Sequence, residues 1–265
     1  MAYRLVVADL DGTARSRRFG VTPGVRRAVA AARASGVRVC VATGRMWRSA
    51  APWVHRLGAD APVILYNGGQ LFDFDRGRVL HDRRLPADSA RQALAVIRRH
   101  PEVQPHLFLN DRVYVERRHP LTDAYAEDDG LEYEVVTAFE PLLTEDPHKV
   151  LVTGEPEKLE ILGSAAKGTG LSARVVRSEA TKLEFLPPGV SKATALRVML
   201  EALGVEAEEV IAVGDNWNDL ELIEAAGLGV AMGDAPEGVR ARADHVCGTA
   251  DEEGFRQVLE RFILG

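Results

Sequence analysis

Short apolar runs that stop at Gly, Asp or Asn alternate with stretches whose apolar positions recur at helical spacing, first near the N-terminus and again near the C-terminus. That alternation predicts strands joined by crossover helices, the grammar of a parallel sheet. Residues 5–8 run into Asp9-Leu10-Asp11-Gly12. Thr22-Pro23 then form an N-cap and first-turn pair for a helix with Val25, Ala28, Val29 and Ala32 on one face, ending near Gly36. A second strand over 37–42 runs into Thr43-Gly44-Arg45, and a third over 62–66 runs into Asn67-Gly68-Gly69. Near the C-terminus Ser191 caps a helix carrying Leu196, Met199, Leu200 and Leu203 before Gly204. A strand over 210–213 ends in Gly214-Asp215-Asn216, a helix follows over 219–226, and 229–232 and 244–247 read as further short strands. The fold class expected is α/β, a doubly wound, mostly parallel sheet.

Between these halves the pattern changes. Residues 87–100 and 157–167 read as helices, 106–116 as a hairpin around Asn110-Asp111, and 132–136, 150–153, 173–176 and 182–186 as strands. This is an α+β module with mostly non-crossover connections, so the expected organisation is a core of residues 1–84 and 189–265 with an inserted domain over 85–188. The length of 265 residues fits that division, being beyond the usual domain of roughly 100 to 200.

Composition narrows the function classes. With 46% apolar and 27% charged residues the chain is an ordinary soluble globular protein, and its formal charge of -6 argues against the basic stripe that nucleic acid or an anionic membrane surface requires. No nucleic-acid or membrane partner is expected, and any anionic ligand must be captured locally. The start lacks a signal-peptide apolar region and no run is long enough to span a bilayer, so the expected location is cytoplasmic. Cys40 and Cys247 make no disulfide framework, and the seven histidines show no ligand spacing. Gly168-Thr169-Gly170 with Ala173 follows a helix-like segment where a dinucleotide fingerprint needs a strand, and no phosphate-binding Gly-x-x-x-x-Gly-Lys-Ser/Thr loop occurs.

The candidate chemistry sits where strands leave the sheet, which is where open α/β sheets bind ligands. In Asp9-Leu10-Asp11-Gly12-Thr13 two carboxylates at i and i+2 would share a face; they suit a phosphoryl transfer in which one attacks and one exchanges a proton with the leaving oxygen, or else form a plain strand-to-loop turn. Asp215 with Asp9 and a main-chain carbonyl begins an oxygen shell for a hard divalent cation, whereas Asn218 and Asp219 also read as a helix cap and a first-turn acid. Lys192 lies at a helix start, where an ammonium and free N–H groups could bind an anion, although a lone Lys there is more often a solvated surface residue. Thr43-Gly44 offers a hydroxyl and backbone amides. Asn67-Gly68 reads as a hairpin turn.

Taken in order, Asp9-Leu10-Asp11-Gly12-Thr13, Thr43, Lys192 and Gly214-Asp215-Asn216-Trp217-Asn218-Asp219 resemble the four motifs of the haloacid dehalogenase superfamily of phosphatases. Ala42-Thr43-Gly44-Arg45, Tyr66-Asn67-Gly68, Leu183-Glu184-Phe185, Pro188-Gly189-Val190-Ser191-Lys192 and Ala231-Met232-Gly233-Asp234-Ala235-Pro236-Glu237 resemble its Cof-type branch, whose α/β cap is inserted between the second and third motifs. Ala14, Ala193 and Gly69 depart from that pattern without removing a reactive group.

The resemblance implies Asp9 as nucleophile and Asp11 as acid and base. It implies Mg2+ held by Asp9, the main-chain oxygen of Asp11 and Asp215, with Asp219 orienting that shell. Thr43, the Gly44 amide, Lys192 and Asn218 would hold phosphoryl oxygens. Arg45 and Asn67 are candidates to face the substrate, Arg45 alternatively pairing with an acid at the rim. The expected partner is a small phosphorylated metabolite such as a sugar phosphate, selected by the cap, and the expected state a monomer or weak homo-oligomer. A phosphotransferase or phosphomutase of the same superfamily, and a non-catalytic sensor of a phosphorylated metabolite, are the alternatives.

Overall fold

A computed structural model describes the chain from Ala2 to Gly265. It divides into two compact units: the first comprises the chain up to Gly44, Ala50–Asp82 and Ser191–Gly265, the second Arg45–Ser49 and Arg83–Val190. In chain order the elements are β1 (Leu5–Ala8), α1 (Pro23–Ala34), β2 (Arg38–Val41), α2 (Trp47–Leu57), β3 (Val63–Leu65), β4 (Gln70–Asp73), β5 (Arg78–Asp82), α3 (Ala87–Ile97), β6 (Gln104–Leu109), β7 (Arg112–Val115), α4 (Pro120–Asp129) and β8 (Tyr133–Val135). Then come β9 (Lys149–Thr153), α5 (Pro156–Lys167), β10 (Arg174–Glu179), β11 (Lys182–Leu186), α6 (Lys192–Leu203), β12 (Val210–Gly214), α7 (Leu220–Ala225), β13 (Leu228–Ala231), α8 (Glu237–Arg240), β14 (His245–Val246) and α9 (Gly254–Leu259).

The first unit is built on a five-stranded parallel sheet of order β14-β13-β12-β1-β2. Its central strands β1 and β12 are buried along their whole length, as expected of strands covered on both faces. The chain proceeds outward from β1 to β2 on one side and from β12 to β14 on the other, so the order reverses between β1 and β12, and open α/β sheets bind ligands beyond the carboxyl ends of strands at such a reversal. Thr22 caps α1 by accepting the Val25 N–H, with Pro23 in the first turn. Leu5, Val7, Ile64, Leu196, Met199 and Val210 belong to its core.

The strands after β2 differ from the sequence reading, which had neither β4 nor β5. β3 does not extend the parallel sheet as a third full strand; it heads a three-stranded antiparallel sheet β3-β4-β5 and meets the end of β2 through a single parallel bridge, Ala42 to Ile64. The turn at 66–69 returns the chain beside β3, and this local hairpin pairing takes the strand's hydrogen bonds.

The second unit has a six-stranded sheet of order β10-β11-β9-β6-β7-β8, antiparallel except for β7–β8, which α4 connects as a crossover. Asn110 and Asp111, both with positive φ, turn β6 into β7. Its core gathers Leu94, Leu107, Val152, Leu159, Leu162 and Phe185. Helix α4 carries little apolar periodicity, which hid it in the sequence, although Pro120 in its first turn and left-handed Gly130 after its end are start and stop signals. No helix among the described residues is long and apolar enough to cross a membrane.

Candidate active site

The Asp9 N–H donates to the Val213 carbonyl at 2.9 Å, so the pairing of β1 with β12 continues one step past β1 and sets Asp9 beside the residues that follow β12. The next turn is tight: Gly12 has φ +91°, and a Cβ there would lie 2.6 Å from Asp215 Oδ2. Thr13 Oγ1 donates to Asp215 Oδ1 at 3.0 Å. Asp219 is fully buried, its Oδ2 accepting the N–H groups of Asp215 and Asn216, each at 3.1 Å. Asp11 stands on the loop, where the Arg15 guanidinium donates to its Oδ1.

Lys192 comes from the other end of the chain. Ser191 and Thr194 form a reciprocal capping box that starts α6 and fixes the backbone at Lys192. The buried Nζ of Lys192 donates to Asp9 Oδ1 and to Asp219 Oδ1. The turn after β3 closes against this helix start: Tyr66, Asn67 and Gly68 all have positive φ, and a Cβ on Gly68 would lie 2.1 Å from the Ser191 carbonyl oxygen. Asn218 Nδ2 donates to Asn67 Oδ1 at 3.1 Å. Asn67 Nδ2 and Asn218 Oδ1 are buried with no hydrogen-bond partner among the described residues. A Cβ on Gly44 would come within 2.9 Å of that Asn67 nitrogen, so glycine leaves room beside an unsatisfied donor. Thr43 is buried and linked to the same turn, its carbonyl accepting the Asn67 N–H at 3.0 Å.

Charge is unbalanced here. Oxygens of Asp9, Asp215 and Asp219 lie within 4.8 Å of one another. Burial pushes the Asp9 carboxyl up to about 7, with Asp219 and Asp11 adding to the rise and Lys192 opposing it. Burial likewise holds Asp215 well above the carboxylate range, reinforced by Asp9 and Asp219. For Lys192 burial disfavours the ammonium, but Asp219 and Asp9 outweigh it and raise the pKa. Three acids against one buried ammonium make an all-oxygen donor set that fits a hard divalent cation. Asp219 already accepts from Lys192 and two amides, which leaves Asp9 and Asp215 as the carboxylates suited to a cation and Asp219 as their support.

The structure thus brings together Asp9, Asp11, Thr43, Gly44, Asn67, Lys192, Asp215, Asn218 and Asp219 in the first unit. Arg45 belongs to the second unit, where its guanidinium is buried and meets the Asp129 carboxylate at 3.2 Å and the Asp129 carbonyl at 2.9 Å. Residues 6–259 match the family model of haloacid dehalogenase-like hydrolases.

The chain belongs to the haloacid dehalogenase-like hydrolase family. Several of its curated relatives are named as phosphatases, and this member of the family is a phosphoric monoester hydrolase. Pyridoxal phosphate phosphatase YbhA of Escherichia coli (strain K12) is 29% identical over 276 residues, covering 100% of both chains. Phosphoglycolate phosphatase of Methanothermobacter thermautotrophicus is 28% identical over 260 residues, covering 98% of this chain and 99% of its own. The crystal structure of a haloacid dehalogenase-like hydrolase from Bacteroides thetaiotaomicron superposes with a TM-score of 0.85 at 30% identity, over 98% of this chain and 99% of the other. A subclass IIB sugar phosphatase of the superfamily shares the fold, with a TM-score of 0.83 at 22% identity over 98% of each chain.

One residue beside the family's motifs, Arg15, escaped the sequence reading. Arg15 bonds Asp11, and its guanidinium lies over the Trp53 ring at 4.2 Å. An Arg four residues after a candidate acid was the available signal, though without a helix that spacing places nothing. Trp217, inside the last motif, is 49% exposed and lies against Gly238.

Proposed function

We propose that this chain hydrolyses small phosphomonoesters, sugar phosphates or related metabolites, in a magnesium-dependent reaction through an aspartyl-phosphate on Asp9, with the second unit acting as the cap that selects the leaving group. The observation that carries the reading is the pairing of Asp9 with Lys192 beside Asp215, at the place where the strand order reverses. The named substrates of the relatives, pyridoxal phosphate and phosphoglycolate, support the substrate class.

A carboxylate oxygen of Asp9 attacks phosphorus in line; the Asp9 O–P bond forms as the bond to the leaving oxygen breaks. Asp11 gives that oxygen a proton. In the second half Asp11, now a carboxylate, takes a proton from water, which attacks phosphorus and releases Asp9 with inorganic phosphate. Lys192, the Thr43 hydroxyl, the Gly44 amide and Asn67 Nδ2 hold the phosphoryl oxygens, Asn218 fixing the Asn67 amide, so that donors meet the charge that spreads over those oxygens in the transition state. Asp9, the main-chain oxygen of Asp11 and Asp215 would hold the magnesium ion, which when bound offsets repulsion between the carboxylates and the phosphate.

The test is phosphate release from p-nitrophenyl phosphate and from a panel of phosphorylated sugars and acids. The Asp9→Asn variant is expected to lose about a thousandfold or more in rate, and the wild type to lose activity in chelator and regain it with Mg2+. An active Asp9→Asn variant rejects the nucleophile, an unaffected chelated sample rejects the metal, and group transfer to a second sugar without release of phosphate rejects hydrolysis.

A further inference from the structure

Arg15 has no place in the chemistry just described, yet it is one of the few buried cations of the first unit, 9% exposed. Its Nη1 donates to Asp11 Oδ1, a contact in which the two side chains are 11% and 17% exposed. Backbone bonds set the distance between the two residues: Arg15 N–H donates to the Leu10 carbonyl at 2.7 Å, Gly12 N–H to the Arg15 carbonyl at 2.9 Å, and Ala14 N–H to the Asp9 carbonyl at 3.2 Å. The loop from Asp9 to Arg15 is therefore closed on itself rather than free to sample.

The far side of the guanidinium is held as well. It lies over the indole of Trp53 at 4.2 Å, the arrangement in which a cation meets the negative face of the ring. Gly20, with φ +66°, passes close to the same ring, where a Cβ would lie 3.4 Å from it, and Ser16, next to Arg15, accepts the Phe19 N–H and donates to Asp251. Arg15 Nε is buried with no hydrogen-bond partner among the described residues, so neither a network nor solvent explains the burial of this side chain; the Asp11 bond and the Trp53 stack do. A planar guanidinium can stack and donate at once, which an ammonium cannot do.

We propose that Arg15 is the positioning residue for Asp11. Clamped between Trp53 and the loop backbone, it fixes the Asp11 carboxyl for proton transfer to the leaving oxygen. The inference rests on the reading of Asp11 as the acid. Proton transfer needs a heavy-atom approach of about 2.6–3.2 Å, and a misplacement of about 1 Å can cost on the order of a hundredfold in rate.

The experiment compares kcat/KM for two substrates that differ in how much they need a proton. An alkyl phosphate expels an alkoxide and depends on the acid; p-nitrophenyl phosphate expels a stable phenolate and depends on it little. The parameter kcat/KM reports only steps up to leaving-group departure, and the ratio of the two values does not change with the fraction of folded enzyme. Arg15→Met, which keeps an unbranched side chain against Trp53, is expected to lower kcat/KM for the alkyl phosphate by about ten- to a hundredfold and for p-nitrophenyl phosphate by much less. Arg15→Lys, which keeps the charge without the planar fork, should fall between wild type and Arg15→Met. Equal losses on both substrates, or no loss, would overturn the proposal. Asp11→Asn separates the two layers: a selective loss in Asp11→Asn with none in Arg15→Met removes the role of Arg15 alone, whereas an equal loss in Asp11→Asn removes the acid role of Asp11 itself.

Discussion

His106 shows how burial can dominate the behaviour of a titratable side chain. It is fully buried, with Nδ1 3.3 Å from the Leu151 carbonyl and Nε2 3.1 Å from the Thr122 hydroxyl. A carbonyl can only accept, so Nδ1 carries a proton, and in the neutral ring that burial favours Nε2 accepts from the hydroxyl. Burial pushes its pKa down to about 4, and the neighbouring Lys149 and Lys182 push the same way. The unfolded chain takes up the proton near 6.5, the folded chain only near 4, so the stability this residue confers is fully present above pH 6.5 and is lost as the pH falls toward 4. The loss amounts to roughly 3 kcal/mol, at about 1.4 kcal/mol per pKa unit. Urea unfolding of the wild type followed through β6 and β9 at pH 7 and pH 4.5 should show that decline, and His106→Gln should flatten it. A variant with the same pH slope as the wild type would assign the decline to another group.

Among the elements, the turn between β3 and β4 and the start of α6 act as one piece of machinery. Positive φ at Tyr66 and Asn67 is costly for residues with a Cβ, and such strain collects at functional sites, where surrounding structure enforces it. Here the enforcing contact is Gly68 against the Ser191 carbonyl, one residue before Lys192. Gly68→Ala must therefore push back backbone rather than a flexible side chain, in a conformation that already disfavours alanine, and it should lower both Tm and kcat/KM, the latter by about a hundredfold through displacement of Lys192. Ser191→Ala removes only the capping bond, about 1 kcal/mol, and should leave a smaller kinetic deficit. Thermal melts with phosphatase kinetics on both variants check the order; a larger kinetic defect in Ser191→Ala would mean that the cap, not the turn, places the lysine. The Ser191 cap and the Asn67-Gly68 turn were each legible in the sequence, because each is written in neighbouring residues. Their contact was not, because it joins segments far apart in the chain and depends on the absence of one Cβ.

At the scale of the whole molecule each unit has its own apolar core, one around β1, β12 and α6 and one around β6, β9, β11 and the helices α3 and α5. Phe185, fully buried in β11, belongs to the second core. Phe185→Ala should cost about 3–5 kcal/mol there, and hydrogen exchange should record it as faster exchange in β6, β9 and β11 while β1 and β12 keep their protection. Equal acceleration in both sheets would show that the two units unfold as one.

The sequence by itself determined the α/β class, the helix starts at Thr22 and Ser191, and the placement of Asp9, Asp11, Lys192 and Asp215 at strand ends and a helix start, because periodicity, caps and turn residues are encoded within a few positions of one another. Resemblance to the haloacid dehalogenase superfamily rests on those same local signatures. Only the tertiary structure decided that β3 pairs with β4 rather than continuing the parallel sheet, that Asp219 divides its oxygens between Lys192 and two amides, that Asn218 locks Asn67, that Arg45 is held by Asp129, and that Arg15 grips Asp11 beneath Trp53. The contacts of Asp219 with Lys192, of Asn218 with Asn67, of Arg45 with Asp129 and of Arg15 with Trp53 depend on how closely two distant stretches of backbone approach, which packing sets, as do the missing Cβ atoms of Gly12, Gly44 and Gly68 around the site, and no periodicity along the chain reveals it.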